Sequence, residues 1–156
     1  MKSNLLRVFA LGMFICLGLT TASCDGMTSD KYGSEGVEIG GSGDSMYVFE
    51  HAGDGEPIQI RVTWEHLSGP PLALYVLDEE NSKKAKAWGP RGMPGVAVVE
   101  PAHKLTLSMG EQKSGWIEVP ITGKARFMIA QDLPRQERAD AGRSKFDVQI
   151  LVKSAG

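Results

Sequence analysis

"IQIRVTWEH", residues 58–66, is the stretch that decides the fold. Ile58, Ile60, Val62 and Trp64 alternate with Gln59, Arg61, Thr63 and Glu65. A period of two sends one set to a core and the other to solvent, whereas an amphipathic helix needs apolar residues three and four apart. The segment is therefore a half-buried strand, and its phase assigns Trp64 to the core. The same rhythm returns in "FDVQILV", residues 146–152, where Phe146, Val148, Ile150 and Val152 alternate with Asp147, Gln149 and Leu151. Leu105, Leu107 and Met109 alternate with Thr106 and Ser108.

Working outward, "LALYVL" (72–77) is continuously apolar and reads as a central strand. "YVFEH" (47–51), "GVAVV" (95–99), "WIEVPI" (116–121) and "ARFMIA" (125–130) extend the set to about seven to nine strands. The breaks carry turn chemistry: "AGDGEP", "SGPP", "GPRGMPG", "EPAH", "MGEQKSG" and "TGK". The expected fold is all-β, an antiparallel β-sandwich or jelly-roll. Only "LPRQERADAG" (133–142) has helical character, as a turn of helix or a long loop.

The N-terminus follows different rules. Lys2 and Arg7 precede a twelve-residue apolar run, Val8 to Leu19, and small residues follow to Ser23. That is the layout of an export signal over 1–23, too short for the roughly twenty residues that span a bilayer. "TTASC" (20–24) then resembles the lipobox of bacterial lipoproteins, with Thr21 standing where that family usually has Leu. The resemblance implies cleavage before Cys24 and acylation of its thiol. Asp25 resembles the residue that holds such proteins in the inner membrane of enteric bacteria. The chain's other cysteine, Cys16, departs with the leader, so Cys24 has no partner for a disulfide. Residues 25–45 are rich in Gly, Ser and acids and are expected to be a flexible linker, although "SEGVEIGG" could dock as an edge strand. The sandwich is expected over 46–153.

Within that domain, "IQIRVTWEH", "LALYVLDEENSKKA", "GWIEVPITGKARFMIAQD" and "FDVQILV" follow an order that resembles pre-peptidase C-terminal-type β-sandwiches. The resemblance implies an accessory module rather than a catalyst. "LALYVLD" lacks the acids that often precede the matching Tyr in that family, so no metal site is carried over.

No nucleophile elbow, zinc motif or phosphate-binding glycine loop occurs, and no cofactor is implied. His51, Asp54, Glu56 and His66 would approach one another only if the first two strands formed a hairpin. "GDGE" (53–56) is too short for a calcium cage. After loss of the leader, fifteen basic residues face nineteen acids, which with export argues against nucleic acid as a partner. "NSKKAKAWGPRG" (81–92) stands out, because Lys83, Lys84, Lys86 and Arg91 surround Trp88 with no acid among them. It is expected at a hairpin, either as a solvated edge or as a contact for anionic lipid, a wall polymer or an envelope protein. Trp116 runs in phase with Glu118, opposite Ile117, Val119 and Ile121, and so points away from the core. Paired and exposed, Trp88 and Trp116 would suit sugar stacking.

These observations lead to a lipid-anchored cell-envelope protein with a noncatalytic binding or assembly domain. The alternatives are a secreted carbohydrate- or peptidoglycan-binding module and, third, a small envelope enzyme.

Overall fold

The alternating segment at 58–66 becomes the strand around which one sheet is built. A computed structural model describes residues 29–40, 46–86, 100–134, 137 and 140–156. In chain order the elements are β1 (Asp30–Gly40), β2 (Met46–His51), β3 (Ile58–Ser68), β4 (Leu72–Leu77), α1 (Glu79–Lys86), β5 (His103–Leu107), β6 (Gly110–Lys113), β7 (Ile117–Val119), β8 (Ala125–Gln131) and β9 (Arg143–Ser154). One sheet runs β1-β9-β3-β6, with β7 also on β3, and the other runs β2-β8-β4-β5. Every strand pair is antiparallel. Because β6 and β7 share one edge of β3, eight strand positions form two sheets connected as a jelly-roll. Of the expected strands, "GVAVV" lies outside the described residues.

The core forms where the two inner faces meet. β3 contributes Ile58, Ile60, Val62 and Trp64, and β9 contributes Phe146, Val148, Ile150 and Val152. Leu72, Leu74 and Val76 of β4 face them, with Phe127 and Ile129 of β8. Full burial of such side chains contributes about 1.5–3 kcal/mol each. The unbroken run "LALYVL" is explained by its position. β4 lies between β8 and β5, and its second face packs Ala73, Tyr75 and Leu77 against Met128 and Ala130. α1 packs against β4 and β8.

Two expectations change. Residues 25–45 were expected to be a linker, but Asp30–Gly40 forms β1, paired with β9 from Asp30↔Val152 to Gly40↔Arg143. The sandwich therefore begins at Asp30 rather than at 46. The physical reason lies in β9: its twelve residues have β3 on one side only, and β1 satisfies the backbone groups of the other edge. Ile39 is buried in the core, and the Tyr32 ring lies 6.2 Å from those of Phe49 and Phe127. A bulge between Ser34 and Val37, with Gly36 at φ 65°, breaks the alternation that would have marked the strand.

The hairpin expected at 81–92 is instead entered by a helix. Asp78 caps it, its Oδ1 accepting from the Asn81 backbone N–H at 2.7 Å. Glu79 and Glu80 occupy the first turn, where the helix dipole favours acids, and Lys83 and Lys84 follow four residues later. The β3–β4 turn depends on one glycine. Gly69 has φ 94°, and a Cβ there would collide with the Arg143 carbonyl oxygen.

Candidate functional site: the outer face of the five-stranded sheet

The residues that alternate out of phase with the core form a solvent-facing surface whose charges are sorted by position. The register places Lys31 of β1 opposite Leu151 of β9, and Leu151 opposite Arg61 of β3. One step outward, Lys153 lies opposite Gln59, which in turn lies opposite Glu118 of β7. In the other direction Gly33, Gln149, Thr63 and Lys113 form the next row. Beyond it, Asp147 faces Glu65 and Glu65 faces Glu111. Cations thus gather at the end where β1 begins, and a row of carboxylates lies farther along the face, followed by Lys145, opposite Glu38 and Ser68, and by Arg143, paired with Glu38.

Between them is an open groove of about 580 Å³, lined by Lys31, Gly33, Thr63, Glu65, Asp147 and Gln149 among others. Gly33 keeps it open on the β1 side, where β1 approaches β9 so closely that a Cβ would lie 2.6 Å from the Val148 carbonyl oxygen. None of the groove's carboxylates has an ion-pair partner among the described residues. Asp147 Oδ1 accepts the Gly36 backbone N–H at 2.5 Å, which fixes the carboxylate beside the bulge.

Trp116 marks the cationic end. It is 37% exposed, on the side away from Val119 and Ile121, as its phase requires. Its ring centre lies 4.8 Å from the Arg61 guanidinium carbon and 4.4 Å from Lys153 Nζ. Arg61 Nε is shielded from solvent and has no hydrogen-bond acceptor among the described residues, and the aromatic ring faces the guanidinium. Ser114 positions the tryptophan: its Oγ accepts the Val62 N–H at 2.9 Å and its own N–H donates to the Val62 carbonyl at 2.8 Å. These two bonds bridge the gap on β3 between β6 and β7, leaving Trp116 at the corner.

Within the stretch 81–92, Lys83 and Lys84 are both paired with acids of the same helix. Lys83 pairs with Glu79 at 2.8 Å and Lys84 with Glu80 at 2.7 Å. The neutralising acids lie just upstream of the quoted stretch. Hydrogen bonding to Lys83 lowers the Glu79 pKa, and hydrogen bonding to Glu80 raises that of Lys84. Lys86 ends α1. Trp88 and Arg91 lie outside the described residues, as do Cys24 and Asp25.

The grouping of His51, Asp54, Glu56 and His66 does not form, because β2 and β3 belong to different sheets rather than to one hairpin. His51 Nδ1 lies 3.3 Å from Asp30 and 3.1 Å from the Tyr32 hydroxyl. Burial, then the nearby Asp30 charge, raises the pKa of that hydroxyl. His66 is buried toward the other end of β3, with its ring nitrogens 3.2 Å from the Leu107 carbonyl and 3.1 Å from that of Ser68. Among the described residues, no three His, Cys, Asp or Glu side chains are grouped to hold a metal. No helix among them is long and apolar enough to cross a membrane.

Lys31, Arg61, Glu65, Glu111, Asp147 and Lys153 went unnoticed as a group in the sequence, because strands distant along the chain supply them. The signal was present in the outward phase of 58–66 and 146–152, but it needed the pairing register to become a pattern.

No protein-family model matches the chain, and no curated protein matches it. Among solved structures it is similar to PliG of Aeromonas hydrophila, a periplasmic lysozyme inhibitor of g-type lysozyme. That match has 12% identity and a TM-score of 0.46, and covers 81% of this chain and 88% of that one. It is also similar to the Tobacco streak virus coat protein, at 8% identity and a TM-score of 0.33, over 81% of this chain and 85% of that one. Neither likeness assigns a function to this chain.

Proposed function

We propose that the chain is an exported envelope protein held at a membrane by acyl chains on Cys24, and that its jelly-roll is a noncatalytic binding module. The binding surface is the groove on the outer face of the five-stranded sheet. Its partner is an envelope protein that presents basic side chains to Glu65, Glu111 and Asp147. The observation that carries this reading is the row itself: three carboxylates opposite one another across three strands, beside a groove, none with an ion-pair partner among the described residues. Like charges placed directly opposite destabilise a sheet, so a row of them invites neutralisation from outside. The anchor rests on "TTASC", which stands at the end of the apolar run and supplies the mature chain's one cysteine. Two or more acyl chains make such attachment stable.

Placing a photo-crosslinking amino acid at Gln149, in cells making the full chain, tests the surface. The expected result is one discrete adduct that disappears with Glu65→Lys and is absent when the crosslinker replaces Lys84 on α1. Adducts of equal yield from both positions, or none from Gln149, would refute the groove as the binding surface. Palmitate labelling tests the anchor and should vanish in Cys24→Ser.

A further inference from the structure

We infer that the Trp116 end of the same face, with Lys31, Arg61 and Lys153, rests on anionic lipid headgroups and orients the groove away from the membrane. This rests on the acylation of Cys24 proposed above, and it identifies a second surface with a different ligand, an anionic phospholipid.

The tether is short. Asp30, the first residue of β1, is six residues from Cys24. Even fully extended, six residues reach no more than about 22 Å. Whichever part of the sandwich lies at Asp30 is therefore held close to the bilayer. The register identifies that part: Asp30 pairs with Val152, Val152 with Ile60, and Lys31 lies in the row of Leu151 and Arg61. The opposite end of β9, at Arg143, lies about 30 Å farther along the strand at roughly 3.3 Å per residue. The acid row at Asp147 is displaced in the same direction.

Near Asp30 the outer face presents Lys31, Arg61 and Lys153, none with an ion-pair partner among the described residues. A partly exposed tryptophan lies against two of them. Basic side chains attract anionic headgroups, and tryptophan favours the interface between headgroup and acyl chain. The acids at this end confine the attraction to the Trp116 face without abolishing it. Asp30 is 3.3 Å from His51, and Asp54 accepts from the Ser154 hydroxyl. Glu118 lies across Gln59 from Lys153, and Glu56 sits in the turn before β3.

Attraction of the Lys31–Arg61–Lys153 end to a negative surface leaves the row of Glu65, Glu111 and Asp147, displaced by about 20 Å along β9 at roughly 3.3 Å per residue, away from that surface. The domain then stands with its acid row outward, available to a basic partner. A Debye length of about 8 Å at physiological salt keeps the attraction local to the membrane-proximal end.

The test uses the full acylated chain reconstituted into vesicles of phosphatidylcholine, with or without phosphatidylglycerol, carrying a brominated lipid as quencher. The Trp116 signal is the difference between wild type and Trp116→Phe. On phosphatidylglycerol vesicles that signal should be quenched, and on pure phosphatidylcholine much less so. The combined Lys31→Gln, Arg61→Gln, Lys153→Gln variant should return quenching to the phosphatidylcholine level. Each lost cation is worth about five-fold in the population of the docked orientation. Because Arg61 is partly buried, Lys31→Gln with Lys153→Gln alone provides a second variant and should remove most of the lipid dependence. Acylated protein that floats with the vesicles yet shows equal or no Trp116 quenching on both lipids would overturn the inference. Protein that carries no acyl mass and does not float would instead overturn the anchor, and the inference with it.

Discussion

Glu65 and Asp147 are cross-strand partners on β3 and β9, and both carboxylates lack a cation within ion-pair distance among the described residues. Glu111 adds a third charge on the far side of Glu65. A sheet selected for stability alone would place Lys or Arg at the middle position, since opposite charges there contribute roughly 0.2–1 kcal/mol and like charges cost a similar amount. Glu65→Lys is therefore expected to raise the denaturation midpoint while abolishing capture of the groove's partner. Urea titration beside the Gln149 crosslinking experiment checks both halves. A variant that loses stability would show that the row is already neutralised within the chain.

Trp64 tests the core. It is 5% exposed, and its indole N–H donates to the Ser108 carbonyl at 3.0 Å. Trp64→Ala should cost about 3–5 kcal/mol, the usual penalty for emptying a buried aromatic site. Trp64→Phe keeps much of the apolar bulk but leaves the Ser108 carbonyl without this donor, and should fall between the two. Trp116→Ala should cost less than either, because its ring is partly solvated and meets side chains from one face of one sheet. Chemical denaturation of the three variants gives the ranking directly.

Asp54 provides a pH signature at the end of the sandwich where β1 begins. Its pKa is lowered, chiefly by the hydrogen bond from the Ser154 hydroxyl and then by the Glu56 backbone N–H at 3.1 Å. A carboxyl depressed in the folded state stabilises the fold above the unfolded-state pKa, and that contribution is lost as pH falls through the folded value. Ser154→Ala should shift the Asp54 titration upward, toward the ordinary carboxylate range, and reduce the fall in stability below it. Carbon-13 NMR of the side-chain carboxyl measures the shift. An unchanged midpoint would mean the Glu56 N–H alone maintains the depression.

Much of the fold was legible because β3 and β9 obey a strict period of two over long runs, and β4 is apolar throughout. The phase of β3 placed Trp64 in the core, and the phase of 116–121 turned Trp116 away from it, as their exposures of 5% and 37% show. β1 was not legible. Its sequence, "DKYGSEGVEIG", contains a bulge that shifts the alternation and three glycines that resemble a linker. It is a strand because of the open edge of β9, a tertiary cause with no local signature. α1 was obscured differently: the reading began at Asn81 and so separated Lys83 and Lys84 from Glu79 and Glu80, the residues that both start the helix and neutralise them. The charged rows of the candidate site were legible only in halves, since each strand shows its own outward residues and none shows its neighbour's.

The boundary at Asp30 can be decided by a single side chain. Ile39 is 1% exposed and belongs to the main core cluster, although it lies within a segment whose composition suggests disorder. If β1 is an integral strand, Ile39→Ala leaves a cavity between the sheets and should cost about 2–5 kcal/mol. A residue in a disordered linker would cost almost nothing on the same substitution. Glu38→Ala provides the control: Glu38 points outward, half-exposed, to an ion pair with Arg143 at 3.3 Å. Such an exposed pair contributes about 0–1 kcal/mol. Denaturant titration of the two variants should therefore separate adjacent positions of one strand by more than about 1 kcal/mol. The difference arises because a β-strand turns successive side chains to opposite faces. Equal and negligible losses at both positions would return residues 30–40 to a linker and remove the geometric constraint on which the proposed approach of the Trp116 end to a membrane rests.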